Sequence, residues 1–461
     1  MTTQQASTAP DSRARSLRGL CGGSVHLPGD PAYDLARSPW NLQMCDSPAA
    51  VAYPAFPEEV AQVLRAAAAA GLSVAPQGTG HGAPPLQGHL AEAVLLRTAA
   101  MTELSVDAER GTARVGAGVL WGDLAVAAGR AGLAARHPSS PDVGVVGYSL
   151  GGGIGWYARA LGLQCNAVTA VEMVLADGTC VRATADRDAD LFWAARGGAA
   201  PLGVVTALEF SLFPLETVVA GLLAWDAAHV ERVLPAWVEW CAGAPDAATT
   251  AFRVLDVPAA EVVPAPLRGR RLAIVDGAVL GDDAAAAAVL APLRALAPEV
   301  DTVTRVPAAS LVRLHLDPEG PTPAYASSSL VSGLPDDAVA AVLAAVGPGA
   351  DRGLAAAELR QLGGALGRPD PAGGALDSLD GAFLALGLGL EGGPDDWPRQ
   401  REAAARFLTA LDPWATGASY LPMLDERTDT RKVFPPGVHA RLSAIRRAAD
   451  PAGLFVSPHP A

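Results

Sequence analysis

The chain has 461 residues, half of them hydrophobic, and a formal net charge of −14 at pH 7. A chain of this length can bury a large core and is long enough for two or more domains. Alanine makes up much of the apolar content, and no run reaches the roughly 18 uninterrupted apolar residues of a membrane-spanning helix. No basic cluster stands out, so we expect neither a membrane nor a nucleic acid as a partner.

The usage of cysteine, histidine and lysine excludes several kinds of site. The five cysteines show no C-x-x-C spacing and the eight histidines no H-E-x-x-H motif, so neither a disulfide framework nor a metal site is predicted. The single lysine, Lys432, rules out a G-x-x-x-x-G-K-[ST] phosphate loop. The polar first twenty residues lack the apolar stretch of a secretory signal, so the reducing cytoplasm is the expected compartment.

Helices and strands alternate in the first half of the chain. A helix is predicted from Pro57, because proline and two acids open an apolar run that stops at Gly71. Asp177-Gly178 between two β-rich runs predicts a hairpin. Further strands are predicted at 72–76, 93–98, 111–119 and 203–213, and further helices at 121–131 and 188–196. Everything up to Pro214 is therefore interpreted as one α+β domain.

After residue 215 the pattern changes to longer strands separated by amphipathic helices. Strands are predicted at 217–225, 249–257, 271–280, 325–333, 354–366 and 381–391. Helices are predicted at 229–241, 282–296, 336–346 and 397–411, with a last one at 436–449. This alternation favours a sheet that carries helices on one face.

Two glycine-rich stretches indicate a phosphate-bearing ligand. In the first, "QGTGHGA" (77–83), Gly78, Gly80 and Ala83 fit the G-x-G-x-x-[GA] dinucleotide fingerprint, but Pro84 and Pro85 deny the helix that this motif requires. A non-helical glycine loop can still offer backbone N–H groups to an anion. The second stretch (144–155) holds six glycines in twelve residues. Tight turns between strands are the alternative interpretation of both.

Five sequence blocks resemble a known family when they are taken together and in order. They are "VAPQGTGHGA", "PDVGVVGYSLGGGIG", "DADLFWAARGGAAPLGVVTALEF", "SYLPM" and "RLSAIRRAADPAGLF". This series is similar to the vanillyl-alcohol-oxidase superfamily, and more closely to its berberine-bridge-enzyme-like branch, which includes 6-hydroxynicotine and carbohydrate oxidases.

The resemblance implies an α+β fold: a PCMH-type FAD-binding domain of two α+β subdomains, and a substrate domain whose antiparallel sheet is covered by helices. The expected division is a disordered or loosely ordered lead-in at 1–26, the FAD-binding domain at 27–214 and the substrate domain at 215–414. Residues 415–461 are expected to return to the FAD-binding domain.

The resemblance also implies that FAD is the cofactor, with its pyrophosphate at 77–82 and an 8α bond to His81. Gln77 and Thr79 depart from the usual R-[GS]-G-G-H loop, so phosphate binding would depend more on the backbone. Ser140 stands where many relatives carry a second flavin-linking cysteine, so one covalent link at most is expected. The implied FAD contacts are Gln77, Gly78, Thr79, Gly80, His81, Gly82, Ser140, Pro141, Asp142, Val143, Gly144, Gly147, Gly151, Gly152, Gly155, Val204, Val205 and Tyr420.

The resemblance implies Tyr420 as the first candidate for the base that takes the substrate proton, since it holds the place of a phenol with that role in several relatives, and Tyr148 is the second candidate. Arg360 and Gln361 lie on opposite faces of a predicted strand, so either is a candidate for contacting the substrate, although Arg360 with Glu358 can equally form a structural ion pair. Pro422 replaces a family asparagine that contacts the cofactor.

The expected activity is that of an FAD-dependent oxidase. It would remove a hydride from an alcohol, amine or glycoside carbon of a secondary-metabolite-like molecule and be reoxidised by O2 to give H2O2, as a monomer or homodimer. The alternatives are a dehydrogenase with another acceptor, a flavin-scaffold enzyme for net non-redox cyclisation or isomerisation, and a ligand-binding protein with a degenerate flavin fold.

Overall fold

The computed structural model describes residues 12–198, 201–261, 263–350, 353–390 and 396–459. Residues 1–11 of the expected lead-in and the end of the predicted 381–391 strand lie outside these ranges. The strands are β1 Val25–His26, β2 Ala50–Ala52, β3 Ser73–Gln77, β4 Ala93–Arg97, β5 Leu104–Asp107, β6 Thr112–Gly116, β7 Leu133–Ala134, β8 Val168–Val174, β9 Cys180–Ala183, β10 Val204–Ser211, β11 Phe213–Pro214, β12 Thr217–Asp226, β13 Ala248–Asp256, β14 Arg271–Val279, β15 Val300–Asp301, β16 Thr304–Pro307, β17 Ala324–Val331, β18 Ala356–Gln361 and β19 Phe383–Leu390. The α-helices are α1 Tyr33–Arg37, α2 Pro57–Ala69, α3 Trp121–Arg130, α4 Val145–Leu150, α5 Ala158–Leu161, α6 Ala189–Ala195, α7 Val230–Gly243, α8 Asp283–Arg294, α9 Asp336–Val346, α10 Trp397–Thr409 and α11 Pro436–Ala449.

The first layer is a four-stranded sheet in the order β1-β2-β4-β3, with β2, β4 and β3 parallel. The α2 helix makes the crossover into β3 and buries Val60 and Leu64 in the same core as Val74 of β3. It ends before Gly71, which adopts φ +66° as a helix stop requires. After β3, Pro84–Leu86 forms a single 3-10 turn rather than an α-helix, which agrees with the rejection of a Rossmann unit.

The second layer is an antiparallel sheet in the order β5-β6-β10-β8-β9. Its β8–β9 hairpin turns at Asp177-Gly178 as predicted, with φ +83° at Gly178 and the Thr179 N–H donating to Asp177 Oδ1 (2.8 Å). Residues of this sheet, such as Val171 and Leu208, share one hydrophobic core with α2 and the first sheet. The two α+β subdomains are therefore packed face to face.

The third layer is an eight-stranded antiparallel sheet in the order β15-β12-β14-β13-β18-β19-β17, with β16 also paired to β12. One face is covered by α7, α8, α9 and α10, and its core contains Trp225, Trp237, Phe252 and Phe407. The opposite face packs on the first two layers through residues such as Leu384, which shares a cluster with Ile154 and Tyr420. The predicted fold class is confirmed.

The C-terminal segment packs against the first two layers. The Val74 N–H donates to Leu454 O (2.8 Å) and the Val456 N–H donates to Val74 O (2.9 Å), so the chain end lies beside β3. Leu442 and Ile445 of α11 enter the shared core. The predicted domain boundaries stay predictions. Within the described helices, none has both the length and the apolar content needed to cross a bilayer.

The described part of the expected lead-in, residues 12–26, differs from the expectation of loose order. It forms 3-10 turns at Ala14–Leu17 and Cys21–Gly23 and then strand β1. Leu17 is completely buried in the core that α2 also enters, and Ala14, Cys21 and Val25 are buried in the same core, so these side chains anchor the segment.

Candidate active site

The glycine loop that follows β3 lies against the segment around Pro39. Gly80 has φ +89°, and a Cβ there would lie 2.6 Å from Pro39 Cβ, so this close approach requires glycine. The Trp40 N–H donates to Thr79 O (2.9 Å), which ties the two segments together. The loop is thereby fixed by backbone contacts on one side.

His81 has a defined ring orientation with one nitrogen uncommitted. Its Nδ1 lies 2.7 Å from Thr79 Oγ1, and the Trp40 indole stacks on the imidazole with 4.0 Å between centroids and 15° between planes. Its Nε2 is buried, has no hydrogen-bond partner and lies 3.5 Å from Asp142 Oδ1. A buried ring nitrogen without a partner calls for a ligand or a covalent bond.

Asp142 connects three parts of the chain next to His81. Its Oδ2 accepts from Trp40 Nε1 (2.6 Å) and from the Gly320 N–H (2.7 Å), and its Oδ1 accepts from Ser140 Oγ (2.8 Å). Burial opposes ionisation, but the neighbouring imidazole of His81 and these three donors outweigh it and hold the pKa of Asp142 well below its usual range. The carboxylate is therefore charged at neutral pH.

The second glycine-rich stretch is partly helical, which corrects the prediction of a loop at 144–155. Val145–Leu150 forms α4 because Val145 and Val146 are buried in the shared core, with Gly144 as its N-cap. The side on which Gly147 lies is open: a Cβ at Gly147 would have no atom within 4 Å, and the same holds at Gly82 of the first loop. These bare backbone surfaces leave room for a ligand that approaches the main chain closely.

The two candidate bases lie together on the glycines that follow α4. The hydroxyl of Tyr420 accepts a hydrogen bond from the Gly153 N–H (2.9 Å) across 267 residues of sequence. A Cβ at Gly153 would lie 2.6 Å from the Tyr148 ring, and the Tyr148 hydroxyl is buried without a hydrogen-bond partner. Burial raises the pKa of both phenols, and the positive charge of Arg360 opposes the rise. The structure thus brings together both predicted tyrosines.

Arg360 and Gln361 point to opposite faces of β18, as their alternation predicts. Arg360 lies on the face towards the first two layers, where its Nε donates to Glu358, and its side chain is 18% exposed. Gln361 lies on the helix-covered face, where it donates to Cys241 O (3.3 Å) and accepts from Thr250 Oγ1 (3.1 Å). Of the two substrate candidates, only Arg360 lies on the side of the tyrosines.

A row of buried charges on that same face was not anticipated from the sequence. Arg253 pairs with Asp276, His315 Nδ1 lies 2.9 Å from Asp276 Oδ2, and His315 Nε2 lies 3.3 Å from Glu358 Oε2. Burial and Arg253 lower the pKa of His315, but the carboxylates, Asp276 first, raise it to about 9 overall. Strand alternation in β13, β14 and β18 is the only sequence signal that could have placed these residues on one face.

Gln77 has a charged partner that the sequence analysis did not identify. Its Oε1 accepts from Nη1 of Arg97 (2.7 Å), the residue beside it in the parallel β3–β4 register. A positive charge therefore lies next to the first glycine loop, although the loop itself carries none.

The remaining predicted cofactor contacts stay predictions, and their neighbours in the structure are as follows. Pro141 and Val143 flank Asp142 in the sequence. A Cβ added at Gly151 would lie 2.8 Å from Pro422 Cγ, and one added at Gly152 would lie 3.1 Å from Tyr420 Cε2. Val204 and Val205 open β10 and contribute to the shared core. Gly155 lies against the His137 carbonyl.

Cys165 is completely buried, and burial raises its pKa to about 12, which agrees with the interpretation that this thiol is inert.

These residues fit FAD. Two glycine surfaces with open space, an unpartnered His81 Nε2 and an unpartnered Tyr148 hydroxyl are features that a flavin dinucleotide held by main chain would satisfy. Ser140, the residue at the position of the second flavin-linking cysteine of many relatives, donates its hydroxyl to the Asp142 carboxylate.

Comparison with known proteins agrees with this fit. Residues 48–184 match the family described as FAD binding domain, and they contain both glycine segments. The chain carries an FAD binding domain. (R)-6-hydroxynicotine oxidase of Paenarthrobacter nicotinovorans is 31% identical over 204 residues, which are 44% of this chain and 44% of that protein. Xylooligosaccharide oxidase of Thermothelomyces thermophilus is 34% identical over 182 residues, 38% of this chain and 36% of that protein.

The fold of the whole chain is also shared with a solved structure. BBE-like 1 of Physcomitrella patens superposes with a TM-score of 0.85 at 22% identity, covering 97% of this chain and 98% of that one. The resemblance to berberine-bridge-enzyme-like proteins is therefore confirmed for the fold, and the match to an FAD binding domain supports the prediction of an FAD-dependent oxidoreductase. The sequence matches span less than half the length of these curated relatives.

Proposed function

We propose that the chain is an FAD-dependent oxidase that removes a hydride from an alcohol, amine or glycoside carbon of a secondary-metabolite-like small molecule. The observation that carries the proposal is that Tyr420 and Tyr148 lie together on the glycines that follow α4, within the second glycine-rich stretch. One relative is named for a nicotine derivative and the other for a sugar oligomer, which supports this range of substrate classes. Reoxidation by O2 with formation of H2O2 completes the proposed reaction.

Each group of site residues has its own role in the proposed reaction. Residues 77–82 and 141–155 hold FAD through backbone N–H groups, and His81 Nε2 forms the covalent link. FAD, when bound, supplies the acceptor for the hydride. Tyr420 takes the substrate proton, with Tyr148 as the second candidate. Arg360 binds the substrate and favours the ionised form of the phenols.

The surroundings of Tyr420 support its assignment as the base. Leu330, Leu362 and Leu384 share its apolar cluster and exclude water from the hydroxyl. The Gly153 N–H donates to the phenol oxygen and would stabilise the negative charge that forms when the proton leaves. We further propose the cytoplasm as the compartment, since all five cysteines are free thiols, and a monomer or homodimer as the assembly.

The first experiment tests the cofactor. Purified protein is precipitated with acid, and the absorbance of pellet and supernatant is measured together with the mass of the chain. We expect yellow colour in the pellet and a flavin-sized mass increment that disappears in His81→Ala and persists in His89→Ala, an exposed histidine of the same segment. Colour released by acid would keep FAD but overturn the histidyl link. Colourless protein would overturn the flavoenzyme proposal and favour the ligand-binding alternative.

The second experiment separates an oxidase from a dehydrogenase without a substrate. The protein is reduced with dithionite under argon and mixed with O2 in a stopped-flow instrument while flavin absorbance and H2O2 are recorded. Rapid reoxidation with one H2O2 per flavin is the expected result. Slow reoxidation with O2, alongside rapid reoxidation by a quinone dye, would assign the chain to the dehydrogenases.

A further inference from the structure

Asp142 is the charged group closest to the free nitrogen of His81. It receives hydrogen bonds from the Trp40 indole, the Ser140 hydroxyl and the Gly320 backbone, all of them neutral donors. Among the ion pairs of the described residues, its partner within 4.0 Å is His81 alone. Neutral donors do not require a full negative charge, so the charge itself needs a separate explanation.

The contacts of His81 show in which state of the imidazole the charge of Asp142 is stabilising. In the tautomer whose Nδ1–H donates to Thr79 Oγ1, the lone pair of His81 lies on Nε2, which has no hydrogen-bond partner. The distance of 3.5 Å to Asp142 Oδ1 is too long for a good hydrogen bond but short for an ion pair. The Asp142 carboxylate therefore stabilises a neutral imidazole only slightly and a cationic imidazole strongly.

We propose that Asp142 is a positioning residue for covalent attachment of FAD: it holds the Trp40–His81 stack in place and stabilises the positive charge that the imidazole acquires as Nε2 bonds to the 8α carbon. This inference rests on the proposed function, because it assumes that FAD binds and that His81 carries the link.

The attachment step balances with O2 as the oxidant. A bond forms between Nε2 and the 8α carbon, and one C–H bond of that methyl group breaks. The hydrogen and two electrons of the C–H bond pass through the flavin ring to O2, which takes up one further proton and becomes H2O2. The product is an alkylated imidazole with Nδ1–H retained, and it carries one positive charge 3.5 Å from the carboxylate.

The test measures the rate of attachment rather than turnover. Protein is produced without flavin and mixed with saturating FAD in air, and the acid-stable fraction is followed over time by mass. Asp142→Asn keeps the shape and an acceptor oxygen but removes the charge, so we expect attachment about 10- to 1000-fold slower, as an opposite charge at this range is worth one to three pKa units. Asp142→Glu restores the charge and is expected to recover much of the rate.

Two controls keep the outcomes distinct. Glu103→Gln removes the charge of a carboxylate that is 83% exposed, pairs with Arg114 and belongs to none of the candidate site groups, and we expect attachment within about threefold of the wild-type rate. If Asp142→Asn does not fold, Asp142→Ser provides a second neutral variant with the same expected slowing. Attachment at the wild-type rate in a folded neutral variant would overturn the inference. Wild-type protein that binds no FAD, or binds it without a covalent bond, would instead overturn the proposed function.

Discussion

Two regions of the candidate site are built by opposite means. Around His81, the site consists of glycine backbone, one stacked ring pair and a single carboxylate held by neutral donors. On the eight-stranded sheet, three cationic and two anionic side chains alternate in a buried row from Arg253 to Arg360. The first region suits a cofactor that approaches the main chain closely. The second region ends at the guanidinium of Arg360, which is available to a substrate.

The difference indicates where each region obtains its specificity. Backbone donors and glycine conformations recognise phosphate and ring edges without reference to a particular substrate. In the charged row, each ion is buried and depends on its neighbours, so a change at one position alters the charge balance of the others. We therefore expect substitutions of the tyrosines and of Arg360 to affect catalysis, and substitutions of the other residues in the row to affect stability.

The largest expected effect is on the reaction of Tyr420→Phe. If Tyr420 is the base, the rate of flavin reduction should fall by about 100- to 10,000-fold. Because burial raises its pKa, the phenol is protonated at neutral pH, so wild-type activity should rise with pH and the variant should lose that rise. Anaerobic stopped-flow reduction over a pH series measures this, with a substrate panel that begins with 6-hydroxynicotine and xylooligosaccharides.

Tyr148→Phe provides the matched control for this assignment. Its hydroxyl has no hydrogen-bond partner, so its removal costs no bond within the protein. A small effect in Tyr148→Phe together with a large one in Tyr420→Phe supports the proposed order of the two candidates. The reverse result would make Tyr148 the base.

Glu358→Ala is expected to have the next largest effect, on stability. Glu358 is 2% exposed and neutralises Arg360 while facing His315, so its loss leaves buried positive charge uncompensated and should cost about 3–5 kcal/mol of the free energy of unfolding. Urea denaturation of the flavin-free protein measures this. Arg182→Ala, which removes an exposed ion pair with Glu209, should cost no more than about 1 kcal/mol. If Glu358→Ala and Arg182→Ala lowered the free energy of unfolding by the same amount, the charged row would be hydrated rather than buried.

The same contrast explains what could be predicted from the sequence. His81, Asp142 and Tyr420 belong to short motifs whose order along the chain identifies them, and helix α2 and the Asp177-Gly178 hairpin have local stop and turn signals. The charged row has no such signal, because Arg253, Asp276 and Glu358 come together only through the register of three antiparallel strands. Alternation placed Arg360 and Gln361 on opposite faces, but it does not say which face is covered by helices. Helix α4 was missed because its three apolar residues and central glycine lie within a run typical of loops.

A pair of glycine substitutions gives the smallest effects and tests the backbone region directly. Gly153→Ala places a methyl group 2.6 Å from the Tyr148 ring at φ +84°, so about 2–4 kcal/mol of stability should be lost from strain and overpacking together. Thermal unfolding of flavin-free protein measures the cost, and a change below about 1 kcal/mol would show that the tyrosine moves aside freely.

Gly147→Ala is the matched change within the same segment, and here the protein and the cofactor should respond in opposite directions. Its Cβ would meet no atom within 4 Å, and alanine favours the helical backbone of α4, so the flavin-free protein should gain roughly 0.5–1 kcal/mol. If FAD lies against this bare backbone, the added methyl group intrudes on it, and the dissociation constant for FAD, measured in a His81→Ala background, should rise about tenfold. A gain in stability with unchanged FAD affinity would place the cofactor away from Gly147 and assign this glycine to the helix rather than to the ligand.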